Sequence, residues 1–161
     1  MTQILLHLTL VFIGFMANSC KRERVDNISA LFSSGYWQLA SLSTTRYIGD
    51  NQLSTTIDSC NLTQKFTFNN DNTCTFTNFG CDSNNINGTW NITDARTYLT
   101  ANIIAPDSTG KDYQPFINSR IVNLGDYSLV LETGDIQTYY TATDKRTIFR
   151  WGFVRVKTST K

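Results

Sequence analysis

Histidine is almost missing from this chain. The single one, His7, lies in an apolar N-terminal run, so nothing from residue 20 onward carries an imidazole. That excludes Ser-His-Asp and Cys-His nucleophilic arrangements there and removes the commonest zinc ligand. Charge of one sign is missing too: 14 Lys and Arg stand against 13 Asp and Glu, a formal net charge of +1. A nucleic-acid binder needs a strongly basic patch, which this balance does not supply. No G-x-S-x-G, P-loop or H-E-x-x-H pattern occurs. The carboxylates are scattered among turn-like stretches, where they read as solvated loop residues and not as an acid–base pair. The expectation is a non-enzymatic chain with no catalytic residue, no metal and no cofactor.

Long apolar runs are scarce as well. The longest, "ILLHLTLVFIGFM" from Ile4 to Met16, covers thirteen residues, short of the roughly twenty that span a bilayer as a helix. It fits the hydrophobic region of a secretory signal. Ala17, Asn18, Ser19 and Cys20 follow and resemble the bacterial lipobox. That resemblance implies cleavage before Cys20, a thioether from its sulfur to diacylglycerol, and acylation of the new amino terminus by a chain such as palmitate. Ala17 stands where the lipobox usually carries Leu, and the leading "MTQ" has no Lys or Arg. The implied address is the cell envelope, with the protein anchored to the outer membrane on its periplasmic or outer face. The four N-x-S/T sequons, at Asn27, Asn61, Asn87 and Asn91, are close to the three or so expected by chance in so Asn- and Thr-rich a chain.

What is plentiful favours strands. Prolines number only two, Pro106 and Pro115, while Thr, Tyr and Phe are frequent. Apolar content of 40% suits one globular domain. After a polar stretch, "ISALFSSG" reads as a short helical turn plugging one end of the fold, and "YWQLASLSTTRY" opens a series of strands. "DNQLSTTIDSCN" reads as a loop. "QKFTFNNDNTCTFT" gives the clearest local signal: Phe66 and Phe68 alternate with Thr67, "NNDN" supplies a turn, and Cys74 and Phe76 alternate with threonines. That is a β-hairpin with one apolar and one threonine face. Further strands are expected at "TWNIT", "RTYLTANII", "QPFINSRIVNL", "SLVLET", "IQTYYTAT" and "RTIFRWGFVRVK", with turns between. About eight strands at regular spacing argue an all-β antiparallel meander, closed into a barrel or flattened into a sandwich.

Gly35, Tyr36 and Trp37 resemble the G-x-W signature of lipocalins and the wider calycin barrels. Cys60, Phe66, Phe68, the 69–72 turn, Cys81, Gly88 and Trp90 resemble the central pattern of lipocalin-like domains in Gram-negative lipoproteins, as does "IVNLGDYSLVLE" later on. The resemblance covers most of residues 35–156. It implies a lipocalin-like barrel over residues 34–161, after a signal peptide at 1–19 and a lipidated tether at 20–33. It also implies that Trp37 packs at the closed end with an arginine of the last strand across its ring. Arg150 and Arg155 are the two candidates.

The resemblance further implies a disulfide between Cys60 and Cys81, which lie in loops flanking one hairpin, with Cys74 buried and free. A Cys74–Cys81 bond is the alternative. Phe66, Phe68, Phe76, Trp90, Leu129 and Leu131, with Trp37, are bulky and inward-facing. They either line a cavity for one small apolar ligand or fill the barrel outright. The expected function is that of an envelope-anchored binding or structural module. The alternative is an interaction module, an inhibitor or a subunit of an envelope complex, working through the loops at 50–59 and 105–114; no protein partner can be named.

Overall fold

The computed structural model describes residues 28–157, apart from 94, 96, 108, 137 and 138. Cys20, the 1–19 segment and residues 20–27 of the expected tether lie outside the described residues. A short helix, α1 (28–33), leads into β1 (Tyr36–Ile48), β2 (Asn51–Asp58), β3 (Lys65–Phe68) and β4 (Thr73–Thr77). A 3-10 turn (Phe79–Cys81) separates β4 from β5 (Asn85–Ile92) and β6 (Tyr98–Asn102). A two-residue ladder, β7 (Ala105–Pro106) with β8 (Asp112–Tyr113), precedes β9 (Phe116–Leu124), β10 (Ser128–Gly134) and β11 (Lys145–Val156). All pairings are antiparallel, and β11 returns to pair with β1 along its whole length. Eight strands thus close a barrel in the order β1-β3-β4-β5-β6-β9-β10-β11. Closure leaves those strands no edge to aggregate from.

Two-residue alternation builds the interior. In β3 and β4, Phe66, Phe68, Cys74 and Phe76 are buried and the intervening threonines are not. Phe66 lies opposite Phe76, and Phe68 opposite Cys74. The turn between them is held by Asp71, whose carboxylate accepts from the Thr73 backbone N–H and hydroxyl. Those bonds, the hydroxyl's first, lower the Asp71 pKa. Asn72 takes the left-handed conformation (φ 64°), which Asn tolerates better than most residues. Leu129, Leu131 and Thr133 form the inner face of β10, and Trp151 and Phe153 that of β11. A bulge between Leu39 and Ser41 shifts the phase of β1.

Two segments depart from the expected outline. Residues 51–58, read as loop, form β2; all eight are exposed, and the strand is held by its ladder to β1. With neither face buried, no alternation marks it. Conversely, "IQTYYTAT", read as a strand, forms none among its described residues. Its neighbour β11 already has β1 on one edge and β10 on the other, so no partner is left despite favourable strand propensity. Helix α1, counted with the tether on sequence, sends Phe32 fully into the core.

Candidate functional site

Strand register sets the two ends of the barrel apart. At one end lie the start of β1 and the end of β11, where Tyr36 faces Val156 and Trp37 faces Arg155. Gly35 has φ 103°, and a Cβ on it would sit 2.4 Å from the Val156 carbonyl oxygen. Only glycine fits there, which is the physical content of the glycine in G-x-W. Trp37 is 1% exposed, and its indole N–H donates to the Phe32 carbonyl at 2.9 Å. The Arg155 guanidinium lies 4.5 Å from the centre of the indole ring, a cation–π geometry. It also donates to the Ser34 hydroxyl and to the carbonyls of Leu31 and Gly125. Arg155 therefore fastens α1, the β9–β10 turn and the barrel floor together.

Arg150 is the arginine that does not reach Trp37. It is out of phase with Trp151 and Phe153, points outward and pairs with Glu132 at 2.7 Å. Glu132 also pairs with Arg120.

The residues offered as cavity lining make a solid interior. Phe68 and Trp90 pack edge to face at 5.3 Å, with Phe32 against both. Phe66 lies between Phe68, Phe76 and Phe116, with centroids 4.2 to 5.1 Å away. Leu129 and Leu131 are fully buried in the same cluster. Cys74 is buried and free, and burial pushes its thiol pKa up to about 11. None of these residues is among those lining the cavity at the other end.

Open space lies at the other end. A cavity of about 660 Å³ sits above Phe79 and Trp151, with Leu42, Tyr113 and Phe149 among its walls. The Phe79 and Trp151 rings stack at 6.0 Å. Thr133 fixes Trp151 by accepting its indole N–H at 3.0 Å. Phe79 is turned inward by the backbone around it. Asn78 (φ 58°) and Gly80 (φ 65°) are left-handed, and the Asn78 side-chain amide donates to the Thr63 carbonyl. The Cys60–Cys81 disulfide, with Cα atoms 5.6 Å apart, forms part of the wall.

Polar groups at the rim are Asp58, Asp82, Asp107, Gln64, Asn84 and Gln114. The Asp107 carboxylate accepts from the Thr109 hydroxyl and backbone N–H and from the Lys111 N–H, which lowers its pKa. Burial, and then the Asp107 charge, raise the Tyr113 pKa. Among the described residues no cluster of His, Cys, Asp and Glu could hold a metal ion.

The sequence matches the lipocalin-like domain family over residues 34–131. The chain belongs to the lipocalin-like domain family. No curated protein and no solved structure matches it. A lipocalin-like domain is a binding or a structural module, and this one has both parts: a packed floor and an unfilled mouth. Sequence reasoning missed the mouth. Trp151 could have been found, since it alternates in phase with Phe149 and Phe153. Phe79 sits in a 3-10 turn and Tyr113 in the two-residue β8, both too short for a period to mark them.

Proposed function

We propose that this protein is a lipid-anchored lipoprotein of the cell envelope whose lipocalin-like mouth binds one small apolar ligand without catalysing a reaction. The cavity above Phe79 and Trp151 carries the binding half of this reading. Its size falls in the range of small-molecule sites, roughly 300–1,000 Å³. A ligand there exchanges water for aromatic surface, at about 25 cal/mol per Å² of apolar area buried. The loop at 105–114, one of the two surfaces considered for a protein partner, instead contributes Pro106, Asp107 and Tyr113 to the cavity.

The neutral dye N-phenyl-1-naphthylamine tests this half, because its fluorescence rises in an apolar site. Saturable enhancement is expected, weakened at least about tenfold by Leu42→Trp, which fills the mouth from β1. No enhancement with the folded protein would overturn the binding reading.

The anchor half is supported by the apolar run at 4–16 and by Ala17–Cys20. Seven residues separate Cys20 from Ile28, where α1 begins (28 − 20 − 1). Fully extended they reach about 25 Å, so the barrel would sit close to the outer-membrane surface. Cys20→Ser is expected to move the protein from the detergent phase to the aqueous phase on partitioning and to leave the signal segment uncut. An unmodified mature N-terminus at another residue, found by intact mass, would defeat this half.

A further inference from the structure

The charges around the mouth are one-sided. The described residues lining the cavity include Asp58, Asp82 and Asp107 and no Lys, Arg or His. Asp107 is already engaged, since its carboxylate is bonded within its own loop and lies near Lys111. Asp58 and Asp82 are the freer pair. Among the described residues the Asp58 carboxylate accepts only a long bond from the Thr44 hydroxyl, 3.4 Å. The disulfide brings these two acids to the same part of the wall: Asp58 lies two residues before Cys60, and Asp82 directly follows Cys81.

Two further features point to the same ligand chemistry. Asn84 lines the cavity, and its side-chain oxygen is buried with no hydrogen-bond donor among the described residues. It is an acceptor waiting for an N–H or O–H, and leaving such a group unpaired is costly. The aromatic floor adds negative ring faces that attract a cation. An anionic headgroup would meet like charge at the rim and no donor of positive charge in the wall.

We infer that the mouth selects an apolar ammonium, with its hydrocarbon part on Phe79 and Trp151 and its N–H groups toward Asp58, Asp82 and Asn84, over an apolar carboxylate of the same size. This rests on the binding reading above and specifies its ligand class. Each exposed carboxylate contributes modestly in water, but low-dielectric walls concentrate the field of two together. The preference is therefore about five- to tenfold at low salt.

The test uses three matched probes below their micelle concentrations: decylamine, 1-decanol and decanoate. Each displaces N-phenyl-1-naphthylamine from the intact protein at pH 7. Decylamine is expected to bind about five- to tenfold more tightly than decanoate, with decanol between them. In Asp58→Asn/Asp82→Asn the ratio of amine to acid affinity should fall toward one, and 0.5 M NaCl should shrink it in the unsubstituted protein. Equal affinities, or a preference for decanoate, would overturn the charge selectivity while leaving binding intact. Failure of all three probes and of the dye would overturn both. An amine preference that survives the double substitution would remove the assigned carboxylates from the role.

Discussion

At the closed end, Trp37 has its indole N–H bonded to Phe32, an arginine over its ring and α1 folded beneath it. At the mouth, Trp151 also has its N–H satisfied, by Thr133, and Phe79 on one side, yet the space above it is empty of side chains. The two tryptophans share an inward phase and a similar chemistry. What separates them is what the chain supplies as a cover. At one end it spends a helix, a glycine-forced close approach and a half-buried guanidinium. At the other it offers polar turns and a disulfide, which hold a rim in place without filling it. A barrel of this size is filled or hollow according to its plugs, and here only one end has a plug.

Removing Trp37 puts the largest strain on that contrast. Trp37→Ala is expected to cost about 3–5 kcal/mol in urea unfolding, as for other fully buried large aromatics. Trp151→Ala should fall at or below the low end of that range, because its site borders open volume and loses fewer contacts. Equal costs would mean that the mouth is as tightly packed as the floor. At urea concentrations where Trp37→Ala is folded, its affinity for N-phenyl-1-naphthylamine should match that of the unsubstituted protein, since Trp37 lies a barrel length from the cavity.

How far the sequence reveals these two ends depends on periodicity. The β3–β4 hairpin is plain because one of its faces is buried and the other is not. The floor is plain because Gly35 and Trp37 answer to a steric requirement. β2 leaves no trace, since all its residues are solvated. The tract at 136–143 misleads, because strand propensity says nothing about whether a neighbouring edge is free. Trp37, Phe66, Phe68, Phe76, Trp90, Leu129 and Leu131 are legible as inward, but their depth along the barrel axis is not. Alternation places a side chain inside without saying whether it sits in the packed middle, like Phe66, or beneath a void, like Trp151. The acids at the rim gain their meaning only from the disulfide that gathers them.

Loss of that disulfide comes next in size. Its 21-residue separation gives about 3 kcal/mol from chain entropy, so Cys60→Ala/Cys81→Ala should lower unfolding free energy by about that much. Dye affinity is expected to fall with it, because the bond joins two segments of the cavity wall. This sharpens the comparison: Trp37→Ala costs stability without touching the site, while the disulfide costs both. Unchanged dye binding in the double variant would show that the rim holds its shape without the bond.

The smallest effect belongs to the arginine on the wrong side of the strand. Trp151 and Phe153 point inward, so two-residue alternation sends Arg155 to the barrel floor and Arg150 to solvent. Arg150 is about half exposed, and its partner Glu132 keeps Arg120 as a second cation. Exposed ion pairs are worth about 0–1 kcal/mol, so Arg150→Ala should shift unfolding by no more than that. Arg155→Ala strips a donor from the carbonyls of Leu31 and Gly125 and a cation from Trp37. Bonds from charged donors contribute about 1.5–3 kcal/mol, so a loss of about 2–3 kcal/mol is expected. Matched urea titrations of the two variants decide the point. If Arg150→Ala costs as much as Arg155→Ala, the guanidinium over Trp37 is not what fastens the closed end, and α1 is held there by the packing of Ile28 and Phe32 and by the Trp37 N–H bond.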